Sequence, residues 1–388
     1  VVRRPAELRR LLPAPDVELS LGNSIELFTD GRSGLESMLD AISSARRRVH
    51  LETYILRGDA TGRRFVAALA ERAATGVEVR VLYDAIGSLG LDPRVFGPLL
   101  RAGGDVVAFN PLRRFYPVWA PRRRDHRKIL VVDGEIGFTG GLNLGDEYWL
   151  GSAVDRRSPT AWRDAHVRIT GPAVAMLEAV FLESWFRADG PDRPWIGAGR
   201  APSAEGDEAI AVVPDGPTYH RRRVRDLLAK ALRDVSRRAA FVTPYFVPGR
   251  ILHGALASAA ERGVRVDLLL AGYTDHPILR WAARDRLPPL LACGVRVWEF
   301  EAAMMHAKCA VFDEARALIG TSNLDRQSLE HSYEVNLLVE GRELPGRLTR
   351  MIDDDIALSR EVTSDALERR NFFERLRDRL ARFLLTRI

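Results

Sequence analysis

Two eighteen-residue stretches carry the same side chains at the same offsets. "HRKILVVDGEIGFTGGLN" runs from His126 to Asn143, and "HAKCAVFDEARALIGTSN" from His306 to Asn323. Each has Lys at +2 (Lys128, Lys308), Asp at +7 (Asp133, Asp313), Gly at +14 (Gly140, Gly320) and Asn at +17. The chain holds 58 basic residues, of which only three are Lys, and two of those three fall in this pattern. Such duplication argues against an accidental H-x-K. Each copy offers an imidazole, an ammonium and an amide, which is half of what phosphodiester chemistry needs. With two copies facing one another, one His can attack phosphorus while the other protonates the departing alkoxide. The Lys and Asn donors would hold the non-bridging oxygens and stabilise the five-coordinate transition state. A compact ammonium suits a closed site where a planar guanidinium does not fit, which accounts for Lys in an otherwise Arg-based chain. A metal centre is not expected: no Cys-His cluster or H-E-x-x-H is present, and the flanking ammonium opposes a cation.

Elements that alternate apolar residues must position these groups. "KILVVDGEIGFTG" is two apolar runs around Asp-Gly, the signature of a β-hairpin. Strand alternation puts His126 and Lys128 on one face, and likewise His306 and Lys308. Asp133 and Asp313 lie at an odd offset in the turn and are read as organisers of the backbone. Each His also needs an orienting acid. "WRDAHVRIT" after the first motif and "SYEVNLLV" after the second align Asp164 with Glu334, so Asp164 is assigned to His126 and Glu334 to His306, each within its own half. "RRRVHLETYIL" (46–56) matches "RRAAFVTPYFV" (237–247), which puts Tyr54 and Tyr245 in equivalent places. These two, with Gly141 and Ser322 beside the motif glycines, are candidate substrate contacts.

Strands alternating with helices in both halves indicate an α/β fold. The expected organisation is a duplicated α/β domain, 1–190 and 209–388, with a Gly/Pro/Ala-rich linker (191–208) between the halves. With 46% hydrophobic and 28% charged residues the chain is globular, and its net charge of +6 favours an anionic partner. Cys293 and Cys309 are expected as buried thiols in a reducing compartment. No apolar run is long enough to suggest a transmembrane helix, and no signal peptide is visible.

The paired H-x-K-x4-D motifs resemble those of the phospholipase D superfamily. "HRKILVVDGEIGFTGGLNLGDEY" with "WRDAHVRITGPAV", and "HAKCAVFD…GTSNLDRQSL…EVN", resemble the bacterial cardiolipin synthase branch, in its short form without N-terminal transmembrane helices. The likeness extends from about Ser24 to Val339. It implies two pseudo-twofold-related domains, each a mixed β-sheet flanked by helices, with one active site at their interface. It also implies a cofactor-free, two-step transfer of a phosphatidyl group to a glycerol-type acceptor through a phosphohistidine, with His126 as nucleophile and His306 as acid. The alternatives are a phospholipase D or a phosphodiesterase acting on nucleic acid. Catalytic residues alone do not separate transfer from hydrolysis, since only the group that resolves the phosphohistidine differs. A non-enzymatic binder on the same scaffold is disfavoured by two intact motifs.

The expected partners are a phospholipid substrate and the anionic inner face of the cell membrane, approached peripherally from the cytoplasm. No protein partner is evident and nucleic acid is not favoured. The insert "PLRRFYPVWAPRRRD" (111–125) supplies the expected membrane contacts: Phe115, Tyr116, Trp119, Arg122 and Arg123. In the C-terminal "NFFERLRDRLARFLLTRI", helical spacing gathers Phe372, Phe373, Leu376, Leu380, Phe383 and Leu384 on one broad face, flanked by Arg375, Arg379 and Arg382. Such a face most often packs on its own domain, and otherwise lies in a membrane interface.

Overall fold

The computed structural model describes residues 12, 17–111, 123–150, 162–192, 206–218 and 222–387. Among the described residues, fifteen strands form one mixed sheet. The first seven are β1 (Ser20–Phe28), β2 (Arg48–Thr53), β3 (Glu78–Asp84), β4 (Asp105–Phe109), β5 (Ile129–Val132), β6 (Ile136–Gly140) and β7 (His166–Thr170). The second seven are β8 (Glu208–Asp215), β9 (Arg238–Thr243), β10 (Arg265–Ala271), β11 (Arg296–Phe300), β12 (Cys309–Phe312), β13 (Arg316–Gly320) and β14 (Glu334–Glu340), with β15 (Ser359–Val362) at one edge.

From the seam outward the first half runs β1-β7-β6-β5-β2-β3-β4, and the second half repeats it as β8-β14-β13-β12-β9-β10-β11. The seam strands β1 and β8 pair antiparallel, Ser20 opposite Ile210 and Asn23 opposite Glu208. The expected linker therefore ends within a sheet strand at Glu208. Residues 193–205 of it lie outside the described residues, as do Phe115, Tyr116, Trp119 and Arg122 of the insert.

Helices cover both faces. α1 (Gly31–Ser44) and α2 (Ala60–Ala74) cover one face of the first half, while α3 (Ala173–Arg187) covers the other. α4 (Arg223–Asp234), α5 (Arg250–Glu261), α6 (Pro277–Ala292) and α7 (Glu343–Ala357) serve the second half, and α8 (Phe372–Arg387) follows. Asp30 and Asp59 cap α1 and α2 through the amides of Ser33 and Gly62. One buried cluster runs unbroken from Ile25, Ile129 and Val167 of the first half to Val311, Val335 and Leu348 of the second. The halves thus share a core, and the site between them rests on a rigid base.

The motif hairpins form as read. Asp133 (φ 56°) and Gly134 (φ 71°) make the tight turn between β5 and β6. The Asp133 carboxylate accepts the backbone N–H groups of Arg46, Arg47 and Arg48 at 2.9, 2.7 and 2.9 Å. Asp313 does the same for Ser236, Arg237 and Arg238 at 3.0, 2.8 and 2.9 Å. Both aspartates therefore lock the hairpin to the start of the neighbouring strand.

Candidate active site

The two motifs meet across the halves in a cavity of about 230 Å³. His126, His306, Asn143, Asn323, Tyr54 and Tyr245 line it, with Tyr148, Trp162, Arg124, Asp275 and His276. Backbone pairing between the halves aims the imidazoles. The His126 N–H donates to Tyr333 O at 2.9 Å, and the His306 N–H to Arg163 O at 2.7 Å. The residue after each of those carbonyls is an acid. His126 Nδ1 lies 3.0 Å from Glu334 Oε2, and His306 Nδ1 lies 2.7 Å from Asp164 Oδ2. The assignment of each acid to the His of its own half is thus corrected: the acids are exchanged. A His directed to a carboxylate through Nδ1–H presents Nε2 as its lone-pair nitrogen.

The motif glycines are explained by the same crossing. A Cβ on Gly140 (φ +144°) would meet Ala165 O at 2.6 Å and His166 Cα at 2.7 Å. On Gly320 it would meet Val335 O at 2.3 Å. Only Gly lets β6 and β13 pass this close to the backbone that follows each acid. Gly141 is equally constrained, since a Cβ there would lie 1.8 Å from Asp164 Oδ1. Neither Gly141 nor Ser322 lines the cavity. Ser322 Oγ accepts from Asn336 Nδ2 at 2.7 Å.

Neither lysine is among the residues lining the cavity. Lys128 Nζ donates to His126 O at 2.8 Å, and Lys308 Nζ donates to His306 O. Each ammonium thus sits behind its own imidazole, held by that carbonyl. Burial pulls the Lys128 ammonium down to about 8, against the attraction of Glu334 and Asp164. Burial likewise pulls Lys308 down to about 7, with Asp164 opposing the shift. The His306 imidazole falls to about 4 through burial and the Lys308 charge. His126 is also lowered, burial first, then Lys128, against Glu334. Both imidazoles are therefore neutral near pH 7. Burial raises the Asp164 carboxyl, but His306 and Lys308 bring it net below the ordinary carboxylate range, so it stays ionised.

Asn143 is engaged with protein. Its Oδ1 accepts the Ile55 N–H at 3.1 Å, and its Nδ2 donates to Tyr148 Oη at 2.6 Å. Asn323 is buried, with no partner for Oδ1 among the described residues. Tyr54 stands edge-on to His126 at 4.8 Å, and its hydroxyl is pushed up to about 12 by burial and by Asp84. Tyr245 Oη donates to Asp275 at 2.5 Å. Arg123, the described member of the expected membrane contacts, is exposed at the base of the insert, its carbonyl accepting from Asn110 Nδ2 at 2.8 Å.

Sequence reasoning missed Tyr148, Trp162, Arg124, Asp275 and His276. Trp162 and Tyr148 flank His306 with ring centroids 4.8 and 5.6 Å away. Arg124, buried next to the motif, reaches Asp84 at 3.4 Å. The available signals were "DEYW" directly after the first motif and the place of Trp162 two residues before the aligned acid.

Comparisons with known proteins give the family. The family described as "Cardiolipin synthase, PLD-like domain" matches residues 38–177 and 228–356. Cardiolipin synthase 1 of Bacillus anthracis is 33% identical over 92% of this chain and 71% of its own. The major cardiolipin synthase of Bacillus subtilis is 32% identical over 93% of this chain and 75% of its own. Among solved structures, the phosphatidylserine synthase of Haemophilus influenzae shares the fold with a TM-score of 0.73 at 14% identity, covering 98% of this chain and 99% of that one. The duplicated motif, the shared cavity and these relatives converge: this chain belongs to the cardiolipin synthase family of phospholipase D-like proteins.

Proposed function

We infer that the protein is a phosphatidyltransferase of the cardiolipin synthase type, which moves a phosphatidyl group from one phospholipid to the glycerol headgroup of another. The observation that carries this reading is the pair of imidazoles in one cavity, each oriented by the acid of the opposite half. Support for transfer as the outcome comes from the cardiolipin synthases that the chain resembles over most of its length.

His126 Nε2 attacks phosphorus, and the bond from phosphorus to the departing glycerol oxygen breaks. His306 supplies the proton that oxygen takes up. In the second step an acceptor hydroxyl gives its proton to His306 and attacks phosphorus, and the P–N bond to His126 breaks. His126 is assigned as nucleophile because its side chain is the more open of the two, 14% exposed against 7% for His306. His306 suits the acid role through ionised Asp164, which stabilises an imidazolium. The phosphodiester brings the negative charge that raises the His306 imidazole and both lysines toward their cationic forms, while His126 attacks in its neutral form. Lys128 and Lys308 then stabilise the added charge of the five-coordinate state from behind the imidazoles.

The substrate class is phospholipid. No helix among the described residues is long and apolar enough to cross a membrane. The net charge of +6 supports work on an anionic surface, for which we propose the inner face of the cell membrane. The test is incubation with short-chain phosphatidylglycerol. Diphosphatidylglycerol with free glycerol is the expected product pair, and phosphatidic acid with glycerol would identify a hydrolase instead.

A further inference from the structure

The C-terminal helix α8 docks with the face opposite to the expected one. It lies along α6 through buried Ala381 and half-buried Leu385, which share a small cluster with Val247, Leu279, Trp281 and Ala282. Polar contacts complete the seam. The Arg377 guanidinium lies 4.7 Å over the Trp281 ring, and Arg382 Nε meets Asp285 at 2.5 Å. The six large apolar side chains all point away: Phe372 (67% exposed), Phe373 (78%), Leu376, Leu380, Phe383 and Leu384. At 100° per residue they occupy an arc of about 120° on the solvent side. A helix that served only its own domain would bury this stripe. A contiguous apolar stripe exposed in this way marks a site of interaction.

We propose that α8 is the element by which this enzyme docks on an anionic lipid surface, its six outward apolar side chains entering the headgroup–acyl boundary. The charges select this occupant. Arg375 and Arg379 are exposed and border the stripe. The two acids of the helix are withdrawn: Asp378 is buried against Arg370 and Arg377, and Glu374 is half-buried and caps the helix at the Asn371 N–H. The outer surface thus offers apolar groups and positive charge, the pattern of an interfacial helix on anionic lipid. A second copy of this chain fits less well, because α8 itself turns no fully exposed carboxylate toward the arginines of a facing α8. Position agrees as well. Leu279, in the cluster under α8, also lines the catalytic cavity. A bilayer resting on α8 therefore lies one helix away from the two histidines. The proposal rests on the phosphatidyl-transfer reading and names the surface that delivers its substrate.

The test uses the full chain and the double variant Phe373→Ser/Leu380→Ser, compared in co-sedimentation with phosphatidylglycerol vesicles. The variant should lose at least about tenfold in vesicle affinity. Its melting temperature and its turnover of monomeric short-chain phosphatidylglycerol should match wild type. A folded variant that binds vesicles as wild type does overturns the proposal. So does a wild-type enzyme that turns over monomeric lipid but ignores vesicles, and the activity then stands without it. A wild-type dimer that the variant splits, with vesicle binding unaltered, assigns the face to a second copy and also overturns it. Absence of diphosphatidylglycerol from monomeric lipid refutes the transferase reading instead, while the vesicle comparison still decides the role of α8.

Discussion

His126 and Glu334 lie 208 residues apart in sequence and 3.0 Å apart in space, imidazole Nδ1 to carboxylate Oε2. Glu334 Oε2 also accepts a hydrogen bond from Thr321 Oγ1, so the acid is itself held in place. The reciprocal pair, His306 with Asp164, spans 142 residues. Each half therefore aims the motif imidazole of the other, and neither half alone supplies the acid for its own motif histidine.

This exchange predicts the effect of removing an acid. Glu334→Gln keeps the shape but loses the carboxylate that fixes the His126 tautomer. Turnover should fall by roughly 10²–10⁴ with little change in melting temperature. With a radiolabelled phosphatidyl donor, the Glu334→Gln variant should form the phosphohistidine slowly. Asp164→Asn should impair departure of the headgroup, through His306. Full activity in either variant would rule out the orienting role.

His126→Ala and His306→Ala should each lose at least about 10⁴ in turnover, and the double variant should be little worse than either single, because the two act as a unit. Activity at a tenth of wild type in one single variant would contradict the two-histidine mechanism. Recovery of the labelled phosphate on a His306 peptide would reverse the roles.

Lys128→Arg keeps the charge but places a longer, planar group where a buried ammonium meets the His126 carbonyl, with the Tyr54 ring centroid 5.4 Å away. Turnover should drop by about a hundredfold or more, with the fold retained by circular dichroism. Since Lys308 and Lys128 titrate at about 7 and about 8, wild-type kcat/KM should also decline above that range as their charge is lost. A profile flat to pH 10 would show that the ammonium charge is dispensable.

His306 gives stability a pH dependence with a definite sign. Its folded pKa of about 4 lies below the unfolded value of about 6.5, so between these limits the unfolded chain binds the extra proton. Stability is therefore lost as pH falls from about 6.5 to about 4, by at most about 3 kcal/mol from this residue. Urea midpoints at pH 7 and pH 4.5 should fall less in His306→Asn than in wild type. Equal losses would refute the buried neutral imidazole.

Turnover in detergent micelles should survive excess chelator. The cations beside the two histidines are Lys128 and Lys308, and a divalent ion bound there would be repelled by them. Loss of activity restored by one stoichiometric ion would contradict this.

Patterns that repeat over a few residues were legible in sequence. The two hairpins, the Lys at +2, the turn aspartates and the matched places of Tyr54 and Tyr245 follow from strand alternation and from duplication. The pairing of Asp164 with Glu334 as equivalents was also legible. Which histidine each acid serves was decided only by the tertiary structure, because the segments holding them pair across the seam formed by β1 and β8. The same is true of Tyr148 and Trp162, which reach His306 from the other half, and of Asn143, whose amide bonds Tyr148 and Ile55 at the cavity edge. In α8 the sequence alone determined that an apolar stripe exists. Its direction was decided by contacts from α6, where Trp281 and Asp285 bind Arg377 and Arg382 and turn the opposite face inward. Periodicity records which residues share a face. It carries no information about which neighbour that face meets, since that depends on contacts between segments far apart in the chain.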